Sequence, residues 1–140
     1  MSSTACTLEQ DRARDALQRV RKLAGRDEQF RKRYRSYVER LGPAIVTNGL
    51  GQAMATERAA AGEKPTKPDE EAHFELYHSL RGWLCRPEGG VYPGAADLLQ
   101  AIVEHDEALY LRAQAEALAW LEWHKKFCRS EFPKDDSPED

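Results

Sequence analysis

The sequence predicts an all-α fold, a compact bundle of five to six mostly antiparallel helices. Apolar residues recur every three or four positions along most of the chain, and no segment alternates apolar and polar residues as a half-buried strand does. Capping residues or glycine and proline breaks bound each periodic segment, and the short connections favour antiparallel neighbours. The length of 140 residues suits one domain with its own core. We therefore expect a single helical domain over residues 1–140, with disordered termini at about 1–6 and 133–140.

The first two helices have clear local start and stop signals. Thr7, followed three residues later by Gln10, predicts a capping box for the first helix, and Gly25 ends it. Asp27 can cap the second helix, and Gly42 is a suitable residue to end it. The predicted inward positions of the two helices are Ala13, Ala16, Leu17, Val20, Leu23, Ala24, Phe30, Tyr34, Tyr37, Val38 and Leu41.

The third predicted helix begins at Pro43 and contains two glycines, Gly49 and Gly51. Its apolar positions are Val46, Leu50, Ala53 and Met54. Each interior glycine costs about 1 kcal/mol relative to alanine, which indicates that another backbone or a ligand comes close there. The Asn48-Gly49 pair could instead form a turn. We favour a continuous helix as far as Gly62, because the apolar period runs through both glycines without a phase shift.

The remaining segments are three helices and their connections. A polar loop with two prolines at about 62–68 is the predicted flexible point of the domain. Asp69 begins the fourth helix, and the Arg86-Pro87 pair stops it. A short fifth helix is predicted over about 94–104, and a long sixth helix, capped by Asp106, runs to about Glu131.

Charge is distributed unevenly along the chain, whose formal net charge is -3. Residues 1–42 hold eleven Lys and Arg against six Asp and Glu, whereas residues 73–140 hold seven against thirteen. A basic segment on an acidic protein suits a polyanion at one face and another partner elsewhere. The alternative is a pair of solvated helices whose charges happen to be rich in arginine.

The cysteines and the hydropathy indicate a soluble cytoplasmic protein without a membrane partner. The three cysteines lie far apart and form no pairwise motif, which is typical of reduced thiols. No apolar run is long enough to span a bilayer, and the first six residues lack the basic-then-apolar order of a signal peptide.

The sequence contains no recognisable catalytic motif. Phosphate-binding glycine loops, a nucleophile elbow, HExxH and CxxC are all absent. His124 and Cys128 lie four apart on one helix face, but two ligands do not make a metal site. The acidic run of residues 104–107 could hold magnesium, although it sits at a helix junction where Asp106 has a capping role. We therefore predict no catalytic residue, no metal and no cofactor.

The basic residues are the better indication of function. Arg14 and Arg21 are seven apart and Arg31 and Arg35 four apart, so each pair lies along one helix face, where guanidinium groups can follow a row of phosphates. Such contacts are independent of base sequence and sensitive to salt. The predicted RNA-binding residues are Arg14, Arg21, Arg31, Arg35, Asn48, Gln52, Lys125 and Lys126. Asn48 and Gln52 could instead bond each other or cap a neighbouring helix.

Several segments resemble the small helical subunit of type III-B CRISPR effector complexes, the Cmr complex. The most specific stretch is Asn48-Gly49-Leu50-Gly51-Gln52, inside a longer likeness over residues 33–43 and 45–53. Residues 97–99 and 117–127 extend it, so the likeness covers nearly the whole chain apart from the proline-rich loop and the acidic tail.

The resemblance implies an all-α, non-catalytic subunit whose copies stack into a minor filament beside the backbone subunits. It implies as partners the guide–target RNA duplex, the backbone and large subunits of the effector, and copies of the same chain. Target RNA cleavage would belong to the backbone subunit, and signalling-nucleotide synthesis to the large subunit. The predicted RNA-binding residues come from charge and spacing, and no family motif assigns them. The rival hypotheses are a helical adaptor that binds only proteins and a metal-dependent nucleotide hydrolase that uses Glu104 and Glu107.

Overall fold

The computed structural model describes residues 6–133, a range that contains six helices and no strand. The helices are α1 (Leu8–Leu23), α2 (Glu28–Asn48), α3 (Leu50–Ala61), α4 (Pro68–Leu84), α5 (Leu98–Glu104) and α6 (Glu107–Glu131). This arrangement confirms the predicted all-α class. The termini predicted as disordered lie outside the described residues, apart from Cys6 and Pro133. None of the helices within 6–133 combines the length and apolar character needed to cross a membrane.

The helix starts that depend on nearby residues are confirmed. The Thr7 hydroxyl accepts a hydrogen bond from the Gln10 backbone N–H at 3.0 Å, and the Gln10 side chain accepts from the Thr7 N–H at 2.9 Å. The carboxylates of Asp27 and Asp106 each accept from the backbone N–H three residues further on, at 2.9 and 3.0 Å. These caps satisfy N–H groups that have no partner within their own helix.

The fifth helix begins later than the sequence predicts. Asp97 is its N-cap and α5 starts at Leu98, rather than at Gly94. Gly94 has a positive φ of 74° and donates its N–H to the Cys85 carbonyl at 2.9 Å, which places it in a turn after α4. The loop at about 62–68 does connect α3 to α4, and α4 starts one residue before the predicted Asp69.

The predicted boundary between the second and third helices is wrong. Gly42 and Pro43 lie inside α2, which continues to Asn48. A proline in a helix interior removes one backbone donor and disturbs the preceding turn. The helix continues because Leu41 and Ile45, on either side of the pair, are both buried in the core, and tertiary burial overrides the local signal.

The helix break lies instead at Gly49, so the predicted continuous helix over 43–62 is also wrong. Gly49 has φ 92° and ψ 156°, a conformation that residues with a side chain rarely adopt. The Leu50 N–H donates to Gln114 Oε1 and the Gly51 N–H donates to the Tyr110 hydroxyl, both at 3.0 Å. Side chains of α6 therefore cap α3, and the close neighbour expected at the glycines is the phenol of Tyr110.

Helix α6 contacts α1, α2, α3 and α4. Arg12 contacts Glu116 and Arg21 contacts Glu131, so the partner residues advance together and α1 runs parallel to α6. This pair is an exception to the predicted antiparallel arrangement. A parallel neighbour is possible because α1 and α6 are separated by the whole intervening chain and no short loop joins them.

Candidate nucleic-acid interface

Ion pairs within the chain neutralise much of the basic segment. Cations of α1, of α2 and of the turn between them face carboxylates on α1, α2, α4 and α6. The pairs are Arg12–Glu116, Arg14–Asp11, Arg19–Asp15, Arg21–Glu131, Arg26–Glu71 and Lys32–Glu28. The folded chain is therefore less strongly divided into a basic and an acidic part than the sequence is, because acidic residues of α4 and α6 lie against basic residues of the first third.

Two of these arginines hold helices together. Arg12 is only 12% exposed and donates to both carboxylate oxygens of Glu116, at 2.8 and 2.9 Å. Glu116 also accepts from the Trp83 indole N–H at 3.1 Å, and the hydrogen bond from Arg12 lowers its pKa. The guanidinium of Arg19 lies so close to Gly82 that a Cβ there would collide with it. Arg12 thus joins α1 to α6, and Arg19 packs on α4.

The two predicted residues of α1 remain accessible. Arg14 and Arg21 have side chains 53% and 62% exposed, and each contacts one carboxylate at 2.9 Å. Exposed ion pairs of this kind contribute about 0–1 kcal/mol, so a phosphate can replace the carboxylate at little cost. The seven-residue spacing separates the two arginines by about 10 Å along the helix axis.

The two predicted arginines of α2 are half-buried and differ from those of α1. The Arg31 guanidinium donates to the backbone carbonyl of Arg26, which precedes the helix. The charge of Arg35 lies near Cys128 of α6, where it opposes the rise in pKa that burial causes in that thiol. Both side chains therefore contact the rest of the bundle as well as solvent.

The break at Gly49 places Asn48 and Gln52 on different helices. Asn48 is the last residue of α2 and Gln52 lies in the first turn of α3. Both are exposed, and among residues 6–133 neither side chain forms a hydrogen bond. The alternatives of a mutual bond or a helix cap are therefore not realised in the described chain.

Lys125 and Lys126 share one carboxylate partner on α6. Their Nζ atoms lie 3.1 and 3.9 Å from the two oxygens of Glu122. Lys125 and Glu122 line a groove of about 530 Å³ between α2 and α6, beside Pro43. Val46, one of the apolar positions of the predicted third helix, is 70% exposed along this groove. It belongs to α2, whose buried face contains Leu41 and Ile45.

The structure does not bring all eight predicted residues into one patch. Arg21, Arg35 and the two lysines surround the C-terminal half of α6. Asn48 and Gln52 lie beside its N-terminal half, where Gln114 contacts the start of α3. Gln114 and Lys125 are eleven positions apart, which corresponds to about 16 Å of helix.

The residues weighed as metal ligands have other partners. The buried His124 lies between the Ala16 carbonyl, 3.2 Å from Nδ1, and the Tyr34 hydroxyl, 2.6 Å from Nε2. The carbonyl can only accept, so Nδ1 donates to it and Nε2 accepts from the tyrosine. Burial lowers the pKa of His124 to about 3 and raises that of Cys128. Within 6–133 no three His, Cys, Asp or Glu residues are grouped closely enough to hold a metal ion.

Two further arginines, to which the sequence assigned no role, lie together in the structure: Arg58 of α3 and Arg81 of α4. They line one polar recess with Tyr77 and His78, next to a larger apolar cleft. The two arginines are 23 positions apart in different helices, so neither spacing nor a local charge cluster marked them.

A family model and a solved structure both match most of the chain. The family model described as CRISPR-associated protein (Cas_Cmr5) matches residues 8–131, from the start of α1 to the end of α6. The crystal structure of a CRISPR-associated Cmr5 family protein from Thermus thermophilus superposes with a TM-score of 0.68 and 28% identity. That likeness covers 91% of this chain and 100% of the Thermus chain. No protein of curated function matches at a comparable level.

Proposed function

The chain belongs to the Cmr5 family of CRISPR-associated proteins, and we propose that it is the non-catalytic small subunit of a type III-B, RNA-targeting effector complex. The observation that carries the proposal is the family match over residues 8–131, which spans all six helices. In this complex, copies of the chain stack into a minor filament beside the backbone and large subunits. The filament holds the guide–target RNA through contacts to its sugar–phosphate backbone.

Exposed cations with weak partners support the RNA contacts. Arg14, Arg21 and Lys126 are each more than half exposed, and each pairs with a single carboxylate. Arg14 also donates to the Cys6 sulfur at 3.3 Å. A phosphate in place of such a carboxylate offers charge-assisted hydrogen bonds of the same kind. These contacts do not read bases, which suits a complex in which guide pairing supplies the sequence specificity.

The acidic run at 104–107 gives little support to the rival metal-dependent hydrolase. Glu104 accepts a hydrogen bond from the Gln100 side chain at 2.6 Å. The Asp106 carboxylate caps α6 by accepting from the Leu109 N–H at 3.0 Å. A magnesium site would need these oxygens as ligands, together with carboxylates from a second helix.

The helical adaptor without direct RNA contact remains the second candidate. The intramolecular ion pairs favour it, because they reduce the positive field that the basic segment would otherwise present to RNA. The adaptor and the RNA-holding subunit differ in one property: the cations of an adaptor can be removed without changing the affinity of the assembled complex for RNA.

The test replaces Arg14, Arg21 and Lys126 together by glutamine in an effector complex reconstituted with guide RNA. We expect weaker target RNA binding and a shallower salt dependence, since each lost phosphate contact reduces the slope of log K against log[salt] by about 0.7–0.9. The matched control replaces three other exposed cations, Lys64, Lys67 and Arg112.

Both variants must first show the wild-type thermal midpoint and normal co-purification with the other subunits. Unchanged affinity and slope in the first variant would exclude these cations from the RNA site and favour the adaptor. Equal losses in both variants would mean that only overall charge matters, which also contradicts a defined backbone contact.

A further inference from the structure

An open cleft lies between α3 and α4, on elements that carry no predicted RNA-binding residue except Gln52. Its volume is about 650 Å³, within the range of small-ligand pockets. The α3 side is formed largely by small side chains, and the α4 side by aromatic ones. The lining residues used below are Ala55, Ala59 and Ala61 on α3 and Phe74, Tyr77 and His78 on α4.

A polar recess of about 180 Å³ adjoins this cleft and shares Arg58, Tyr77 and His78 with it. Arg81 and Asp97 complete the polar lining of the recess. The closest approach between Arg58 and Asp97 is 3.7 Å, and Asp97 also caps α5 by accepting a backbone N–H. Two guanidinium groups therefore face one carboxylate that already has another hydrogen bond, which leaves the recess with a net positive charge.

The electrostatics of His78 agree with this arrangement. Its pKa is lowered, first by burial and then by the charges of Arg81 and Arg58. At neutral pH the imidazole is therefore uncharged, and it contributes a flat aromatic face to the cleft. The Phe74 ring, the exposed aromatic ring of the α4 wall, lies 4.2 Å from the His78 ring between centroids.

A mostly apolar cleft beside two arginines matches the two halves of a nucleotide. A base is flat and stacks on aromatic side chains, and this stacking contributes about 1–3 kcal/mol of binding free energy per base in single-stranded complexes. Its phosphate suits guanidinium groups, which bind it through two parallel hydrogen bonds. A peptide of acidic residues alone would also satisfy the arginines, but it has no aromatic ring to fill a cleft with alanines on one side and aromatic rings on the other.

We propose that this cleft binds an unpaired segment of single-stranded RNA, with a base between α3 and the aromatic wall of α4 and the adjoining phosphate on Arg58 and Arg81. The site goes beyond the proposed function, since it takes unpaired nucleotides and uses neither the cations of α1 nor those of α6. Because the cleft opens to solvent, the strand can continue on either side of the bound nucleotide.

The experiment uses the purified full chain with ¹³C-labelled alanine methyl groups and a ten-nucleotide adenine RNA. We expect ring-current shifts at the methyls of Ala55, Ala59 and Ala61, and a gain in fluorescence anisotropy of labelled RNA. Arg81→Gln should weaken binding at least tenfold, whereas Arg112→Gln, an exposed arginine of α6, should leave it unchanged.

A second variant separates stacking from charge. Phe74→Leu keeps an apolar side chain at a partly exposed position, so we expect an unchanged thermal midpoint but several-fold weaker RNA binding. Adenosine monophosphate serves as the competing small probe, and an octaglutamate peptide as the competing acidic chain.

Each outcome decides the proposal. Methyl shifts with RNA that Arg81→Gln removes support it. Absent shifts, or equal losses in the Arg112→Gln control, overturn it. Monophosphate binding as tight as RNA binding would assign the cleft to a free nucleotide, and displacement by the peptide alone would assign it to a protein partner. The reconstituted-complex test depends on other residues, so either proposal can fail without the other.

Discussion

Replacing Gly49 by alanine tests the helix break that organises the centre of the chain. Gly49 has φ 92°, and a Cβ built on it would lie 2.9 Å from the Tyr110 hydroxyl oxygen. That oxygen also accepts the Gly51 N–H, so the new methyl group would strain the backbone and disturb the hydrogen bond that caps α3.

The expected loss of stability follows from three contributions. Holding a non-glycine residue in this conformation costs about 1–3 kcal/mol. Weakening the hydrogen bond to Gly51 costs about 1 kcal/mol, and the lower entropy of the unfolded alanine chain returns about 0.4–1 kcal/mol. We expect a net loss of about 2–3 kcal/mol, which for a domain of this length lowers the melting temperature by roughly 10 °C.

The matched control is Gly42→Ala. Gly42 lies inside α2, and a Cβ there would meet no atom within 4 Å apart from its two chain neighbours. This variant should change the free energy of unfolding by less than about 1 kcal/mol, since the better helix propensity of alanine opposes the contact of its Cβ with the ring of Pro43. Guanidinium denaturation, monitored by circular dichroism at 222 nm, measures both changes. The comparison requires that the free energy of unfolding depend on denaturant concentration with the same slope in each variant.

The two glycines make the result decisive. If Gly49→Ala changed the stability as little as Gly42→Ala does, the chain would have to form a continuous helix through this position, and the described break would be refuted. Tyr110→Phe provides a further check, because it removes the oxygen nearest to the new methyl group. The cost of Gly49→Ala should therefore be smaller in the Tyr110→Phe background.

Two further predictions concern ion pairing and pH. Arg12→Ala should lower the free energy of unfolding by about 2 kcal/mol in urea denaturation, because it leaves the largely buried Glu116 without its cation. The control Arg14→Ala, at an exposed position, should lower it by less than about 1 kcal/mol. Equal losses would contradict the structural role of Arg12. The folded-state pKa of His124 is about 3 against 6.5 for the free group, so the unfolded chain takes up the proton first. Stability should be fully present above pH 6.5 and decline towards pH 3 by up to about 1.4 kcal/mol per pH unit from this group. His124→Gln should reduce that slope in denaturation measured between pH 4 and 7, and an unchanged slope would contradict the assignment.

The features that the sequence predicted correctly are those that depend on residues only a few positions apart. The caps at Thr7, Asp27 and Asp106 each need only a backbone N–H three residues away, and all three form. The boundary between α2 and α3 depends instead on contacts with α6, so local signals at Gly42 and Pro43 were misleading. The break at Gly49 depends on Tyr110, whose hydroxyl oxygen accepts a hydrogen bond from the Gly51 N–H, 59 residues away in the sequence.

The candidate site was harder to predict for the same reason. A count of charges identified a basic segment, but it could not show that Glu116 faces Arg12 across 104 positions of sequence. Half-buried and exposed arginines are indistinguishable in the sequence, although only the exposed ones can exchange a carboxylate for a phosphate. The recess around Arg58 and Arg81 exists only once α3 and α4 pack together.

The parallel pairing of α1 with α6 has a consequence for how the protein is made. Helix α1 is synthesised before the other five described helices, and its main partner follows about a hundred residues later, as the separation of 104 positions between Arg12 and Glu116 shows. Until then the apolar stripe of α1 stays uncovered, and Arg12 and Arg21 lack their carboxylate partners on α6. The intervening helices can pair as they emerge, but the core closes only when α6 is complete. Loss of α6 would therefore leave α1 without its main packing partner.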